Sequence, residues 1–486
     1  MNKESLPNRE ELLAADEKTL RRLGYTQELS RRMSGFSNYA ISLSIICILA
    51  GGITSFQVGF CSAGGAAIGF GWPLSCLCSL IVALTMAQVA SAFPTAGGLY
   101  HWASILGGRG WGWLTAWFNL AGLVTVLAAI NAGTWDFIVG AMALQLGPHA
   151  ALIKIAGVIL VTLSQALFNH KGIRVTTLLT DFSGWWILVV SLVLTAALLV
   201  FGDGFDVARL FTFSNYSGAS GADTFPRVNN MPWLFALGLL LPAYTITGFD
   251  ASAHTSEETV GAAHNVPRGI VRSVLVSGIF GWVLLSAIVL AMPNLNEAAA
   301  QGGNVFYWVV NRTLPPALAK ALYLGIGAAQ YFCGLATLTS ASRMAYAFAR
   351  DGGLPAALRR VSRVSHTPSI AIWCVALLAV LFMVTVPYVT IAAVCVVFLY
   401  ISYVLPTAAG FFAHGRSWTR MGPWQLGRWY RPLAVVATLF CALLIVIGVQ
   451  PPNQQALWIL GGAVVLLAIV WMAIEKRRFR GPPGMN

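Results

Sequence analysis

The chain is 486 residues long, 57% hydrophobic and 10% charged, with a mean hydropathy of +0.72. Soluble domains carry about 25% charged residues, so this composition excludes an ordinary soluble enzyme or binding module and points to a polytopic membrane protein. The net charge of +13 raises nucleic acid as a partner, but that use needs a clustered basic face with stacking aromatics, and here the charge follows the loops.

Taken from the N-terminus, residues 1–38 are polar, including the run KESLPNREELLAADEKTLRRL. They read as a cytoplasmic tail with a short amphipathic helix, and no cleavable secretory signal is expected. Beyond the tail, twelve apolar runs approach the roughly 20 residues that cross a hydrocarbon core of about 30 Å. They cover residues 40–60, 72–93, 113–141, 150–168, 175–201, 232–253, 270–292, 318–349, 369–386, 389–412, 432–449 and 456–474. The expected fold is therefore all-α and membrane-integral, with twelve transmembrane helices. Two segments between runs, 202–230 (with Asp203, Asp206 and Asp223) and 293–316, are long enough to hold short helices over an outer vestibule.

Lys and Arg concentrate in cytoplasmic loops. With the N-terminus inside, only Lys154, Arg209, Arg227, Arg312 and Lys320 of the 30 fall outside, which predicts both termini in the cytoplasm and a place in the cell membrane. The eight cysteines lie in or beside apolar runs without ligand spacing, so neither a disulfide framework nor a metal site is expected.

Two runs are interrupted by residues that a lipid-facing helix has no use for. In 40–60 these are Gly51, Gly52, Thr54 and Ser55; in 232–253 they are Thr245, Thr247, Gly248 and Asp250. A carboxylate at bilayer depth costs roughly 2.5–3.5 kcal/mol on insertion scales, so something must compensate Asp250. Helices broken beside a cavity expose backbone groups to a polar solute, and each break reads as half of a binding site. Glycine pairs alone more often serve close helix packing; the pairing of the two breaks favours the site. Amides of Gly51, Gly52 and Ile53 would hold a carboxylate at a half-helix end. Carbonyls from Tyr244 through Thr245 and Ile246 to Thr247 would accept an ammonium, with Tyr244 offering a ring face. Asp250 either caps amides of the broken helix or carries a charge that answers to substrate, proton or gate. Five runs separate the breaks, which places the second set inverted, as in transporters built from two inverted repeats. The predicted division is residues 39–201 and 231–413 for the repeats, 202–230 for an external loop, 414–474 for two further helices and 475–486 for a cytoplasmic tail.

ITGFDASAHTSEET (246–259) followed by VPRGI, FPTAGGLYHW (93–102) and SRMAYAFARDGGLP (342–355) together resemble the amino acid/choline transporter branch of the amino acid–polyamine–organocation superfamily. Fungal and plant members characteristically have Tyr where this chain has Phe249. The resemblance implies the LeuT-type fold, five plus five inverted helices and two more. It also implies secondary transport of an amino acid, GABA, choline or a polyamine by alternating access, with no cofactor beyond a coupling proton or sodium ion. It places Asn119 at pocket depth, and Thr337, Thr339 and Ser340 where sodium-coupled relatives hold their ion. Proton-coupled relatives carry a Lys in the fifth run, and none occurs in 175–201, so sodium coupling, another proton carrier and amino acid exchange all stay open.

Asp181, in the fifth run, joins a proton or gating path or pairs with Arg174. Glu257 and Glu258 are expected to form an inner gate with Arg343 or Arg350, since their surroundings match no zinc signature. The partners expected are a small-molecule substrate and membrane lipid. No GK[ST] phosphate loop is present, which disfavours a primary pump, and no nucleophile with its base stands out as it would in an enzyme. A channel and a nutrient receptor that keeps the carrier fold are the remaining rivals.

Overall fold

The computed structural model describes residues 8–202, 204–218, 224–386 and 388–483; Asp203 and Asp223 lie outside them. Among these residues every regular element is helical, and extended pairing is confined to the isolated bridges Met33 with Thr259 and His414 with Trp418. Helix α1 (Arg9–Arg22) opens with a reciprocal cap: Asn8 accepts from the Glu11 amide at 2.9 Å, and Glu11 accepts from the Asn8 amide at 3.0 Å. That pairing satisfies donors a helix start otherwise leaves free. The first broken span follows as α2 (Gly35–Ile46), capped by Ser34, and α3 (Phe56–Ala63). The first half continues through α4 (Trp72–Ala92), α5 (Leu99–Gly107), α6 (Arg109–Ala141), α7 (Ala150–His170) and α8 (Ile173–Phe201).

The second half begins with three short pieces, α9 (Met231–Gly238), α10 (Leu240–Thr245) and α11 (Ala251–His254), before the long α12 (Ala262–Leu290). Helices α13 (Leu295–Ala299) and α14 (Val305–Thr313) fill the long connection to α15 (Pro316–Arg350). Then come α16 (Ser369–Thr385), α17 (Tyr388–Ala413), α18 (Tyr430–Gly448) and α19 (Gln454–Val470). Ten helical stretches among the described residues are long and apolar enough to cross a bilayer. Two shorter apolar stretches, Met231–Thr245 and Ser369–Thr385, accompany them. Helix α6 packs on α15 and α17, and α12 packs on α2 and α4. Outward faces of α7, α8 and α19 expose large apolar side chains such as Leu160, Leu178, Val200 and Trp458, as a surface solvated by lipid does.

The polar tail differs from a free cytoplasmic segment, because it is stitched to the bundle. Asp16 accepts from the amides of Gly261 and Ala262 at 2.7 and 3.0 Å, capping α12 from a distance. Arg31 donates to the carbonyls of Ser256 and Thr259, and the Arg32 and Met33 amides both donate to the Glu258 carbonyl, at 2.9 and 2.8 Å. Near the other end of the chain Pro483 packs against Gly24, and Phe479 meets Tyr100 and Phe348. Both described ends therefore share one face of the bundle, the terminal face below.

Candidate functional site

The first break is displaced from its expected place. Helix α2 stops at Ile46; Cys47 takes φ 12° and ψ 88°, and a π-helical turn over Ile48–Gly52 follows. Within it the Gly51 amide donates to the Cys47 carbonyl at 3.0 Å, and the Ile53 amide donates to Ala50. Those two amides are thus occupied by backbone carbonyls rather than unwound. Gly51 instead permits close approach: a Cβ there would lie 2.9 Å from Thr245 Cα. Gly52 has more room, with Leu285 at 3.7 Å. Thr54 donates to the Ala50 carbonyl at 2.8 Å, and Ser55 donates to Gly51.

The second break falls at the residues that mark it in sequence. After α10, Ile246 turns out of the helix (φ −91°, ψ 56°) and Gly248 adopts φ 84°, a region that favours glycine. A Cβ at Gly248 would also lie 2.1 Å from Ile45 Cγ2. The Tyr244 carbonyl accepts from the Thr247 hydroxyl at 2.9 Å, so it is not free. Ser42 in α2 donates to the Phe249 carbonyl at 2.9 Å and accepts from the Ser252 amide at 3.0 Å. Asn38 reaches the Ser252 carbonyl at 2.9 Å, and the two broken spans are pinned together.

Between the breaks lies a small cavity. Gly51, Tyr244, Thr245 and Thr247 line it with Val126 and Ile130 of α6. Gly52 and the buried Ile246 do not line it. Ile53 and Thr54 face a cavity of about 770 Å³ reaching Asp136 and Tyr307, and Thr54 and Tyr244 share another of about 540 Å³ with Asn453. Asp136 pairs there with Lys154 at 2.6 Å.

Asp250 sits apart from the small cavity, in a fully buried polar cluster. It makes no side-chain cap to α11, which corrects the capping alternative. Its Oδ1 accepts from Tyr403 at 2.8 Å; its Oδ2 accepts from Asn119 at 3.1 Å and lies 3.2 Å from His254 Nε2. The Tyr403 hydroxyl also accepts from the Gly248 amide at 3.0 Å. Asn119 additionally donates to Ser402 at 3.2 Å.

On the terminal face Glu258 receives both Arg343 Nε (2.9 Å) and Nη2 (3.1 Å), and Glu257 receives Arg350 at 2.8 and 2.9 Å. Arg343 and Arg350 are the two arginines named from sequence, where neither was assigned to one carboxylate, and both carboxylates are fully buried. Just beyond α15, Asp351 accepts from Tyr25, Tyr100 and His101 at 2.9, 2.8 and 2.9 Å. Burial pushes its carboxyl up, but the His101 hydrogen bond and charge, with Arg350 behind them, outweigh it and hold the group below the ordinary range. Asp181 forms no ion pair with Arg174; its Oδ2 instead accepts from the Ser37 hydroxyl of α2 at 3.0 Å. Thr337 donates to the Cys333 carbonyl at 2.8 Å, Thr339 to Asn169 at 2.7 Å, and the buried Ser340 hydroxyl has no partner.

Tyr403 and His254 were not singled out by the sequence. His254 stands four residues after Asp250, a same-face helical spacing that carries the signal. Tyr403 lies in an apolar run with nothing around it to mark it.

The profile of a family described as amino acid permease matches residues 33–474. The chain is 32% identical to amino-acid permease BAT1 of Arabidopsis thaliana, with 95% of each chain covered. It is 31% identical to the BAT1 homolog of Oryza sativa subsp. japonica, over 95% of this chain and 94% of that one. The GABA-specific permease of Saccharomyces cerevisiae is 27% identical, over 97% and 86%.

Proposed function

Because the chain belongs to the amino acid permease family, we propose that it is a secondary transporter carrying an amino acid or GABA across the cell membrane by ion-coupled alternating access. The observation that carries this reading is the meeting of two broken spans at Gly51 and Thr245, beside a cavity that both residues line. In this reading ten helices form the LeuT-type inverted repeats, α9 to α11 act as one discontinuous helix, and the α18 and α19 spans are additional.

The basic loops, together with both described ends on one face, support a cytoplasmic placement of the terminal face. There the Glu257–Arg350 and Glu258–Arg343 pairs close the inner gate, while the larger cavities at Thr54 lie toward the opposite side. A cavity of about 740 Å³ on the terminal face lies beside Tyr25 and His101 and does not reach the breaks, so the closed ion pairs fit a state open outward and shut inward. Substrate would contact Gly51, Tyr244, Thr245 and Thr247, with Ile53 and Thr54 at the entrance, Gly52 and Ile246 behind and Gly248, Asp250 and Asn119 holding the second break. Tyr244 is the one aromatic residue lining the small cavity, which favours an amino acid over choline, whose quaternary ammonium is recognised by aromatic cages. Thermal stabilisation of the purified chain across amino acids, GABA, choline and polyamines tests the substrate class, and uptake into proteoliposomes tests transport. A flat thermal response together with no uptake would overturn the reading.

A further inference from the structure

Resting on that transport reading, we propose that His254 and Asp250 form the binding site of the coupled ion, and that the ion is a proton. The argument is one of donors and acceptors. His254 Nε2 lies 3.2 Å from an Asp250 carboxylate oxygen and Nδ1 lies 3.2 Å from the Ala96 carbonyl oxygen, with both side chains fully buried. A carbonyl and a carboxylate only accept, and a neutral imidazole has one N–H to give. One ring nitrogen would then face an acceptor lone pair to lone pair, at a depth where an unsatisfied polar contact costs about 1–3 kcal/mol. One added proton, making imidazolium against carboxylate, satisfies both contacts. The pocket is shaped for that ring: Gly98 has φ 49°, and a Cβ there would come within 3.2 Å of His254 Nδ1 and Cε1.

Each end of the pair reaches a part that must move. Through Asp250 the proton is one residue, Tyr403, from the Gly248 amide at the second break. Through Ala96 it is one peptide from the gate, since the Ala96 amide donates to Glu257 at 3.0 Å and Glu257 holds Arg350. Proton loss removes one imidazole donor. It therefore frees either the 93–98 loop or the Asp250 side of the break, and unloading toward the cytoplasm loosens the inner gate as substrate leaves.

Few other ionisable groups face the pair. Helix α6 presents Asn119 and α17 presents Tyr403, while Ser42 and Asn38 of α2 bond the neighbouring Ser252 and Thr255. Arg343 and Arg350 of α15 are committed to Glu258 and Glu257, and His101 of α5 is committed to Asp351. On α12, His264, Arg268 and Arg272 are exposed.

The test uses the full chain in proteoliposomes, with radiolabelled protein amino acids and GABA supplied together. The readout is the ratio of uptake with an inward proton gradient to uptake without one, which normalises for each variant's own rate. With one proton per cycle, a gradient of one pH unit supports up to about tenfold accumulation. We expect a several-fold ratio in the parent and a ratio near unity in His254→Gln, whose amide still donates to Asp250 but carries no proton. A ratio near unity in the parent, or an unaltered one in the variant, overturns the proton site and leaves the carrier reading standing. A ratio near unity in the parent overturns the proton site even where His254→Gln does not fold. Absence of uptake of every probe overturns the carrier reading instead, and infrared titration of the purified chain then judges the site alone. An imidazole component that titrates in the parent and is missing from His254→Gln, which keeps the other six histidines, supports it; identical titrations overturn it.

Discussion

Replacing Arg343 with Met while Glu258 stays in place strips two hydrogen bonds, of 2.9 and 3.1 Å, from a carboxylate without solvent contact. Bonds to charged groups contribute about 1.5–3 kcal/mol each, and stranding one member of a buried pair costs about 3–5 kcal/mol in all. Arg343→Met should therefore destabilise the chain by that amount. Glu258→Leu combined with Arg343→Met removes both desolvation penalties and should fall between neutral and about 1–4 kcal/mol more stable than the parent. The two changes thus couple by at least about 3 kcal/mol, far from additivity. Thermal unfolding of the detergent-purified chain, followed by tryptophan fluorescence, measures the cycle. A single variant as stable as the parent, or a double variant that loses the sum of the singles, refutes the reasoning. The same arithmetic explains why such a pair suits a gate: its strong attraction is nearly cancelled by dehydration, so water entering on opening replaces it at little net cost.

Gly248→Leu should abolish uptake while the protein still reaches the membrane, because the added side chain meets Ile45 at 2.1 Å in a backbone region with positive φ; normal uptake in vesicles would contradict this. Tyr403→Phe leaves the Gly248 amide and one Asp250 oxygen short of a partner, and should cost about 1–3 kcal/mol in unfolding free energy, read by the same fluorescence assay. Asp351 ionises more easily folded than unfolded, so its contribution is present above the unfolded value of about 3.9 and is lost as pH falls through the lower folded value. The melting-temperature gap between parent and Asp351→Asn should accordingly be widest near neutrality and close below about pH 4; a gap that widens in acid would reverse the sign.

Hydropathy exposed most of the spans because a lipid solvent demands long apolar helices, and the long stretches such as Pro316–Arg350 follow the runs within a few residues. The second break was legible because Gly248 and Asp250 have no place in an unbroken helix. The first was legible only as a neighbourhood: Cys47, which carries the distorted backbone, is chemically ordinary, and the glycines beside it serve contact with Thr245. The arginine partners of Glu257 and Glu258 could be anticipated because buried carboxylates need cations, of which few are near. Tyr403 could not, since its hydroxyl reaches Gly248 and Asp250 from a helix more than 150 residues away in sequence. The tail looked free because its polarity is satisfied by backbone groups, which leave no trace in composition.

That last arrangement bears on how the chain is handled. Met33 and Thr259 run side by side like a single rung of a sheet, and the rung is made of peptide groups, so side-chain changes alone leave it standing. Trimming the chain to begin at Gly35 would unpick the lacing that crosses the 256–262 segment and strip the Glu258 carbonyl and the Gly261 and Ala262 amides of those partners.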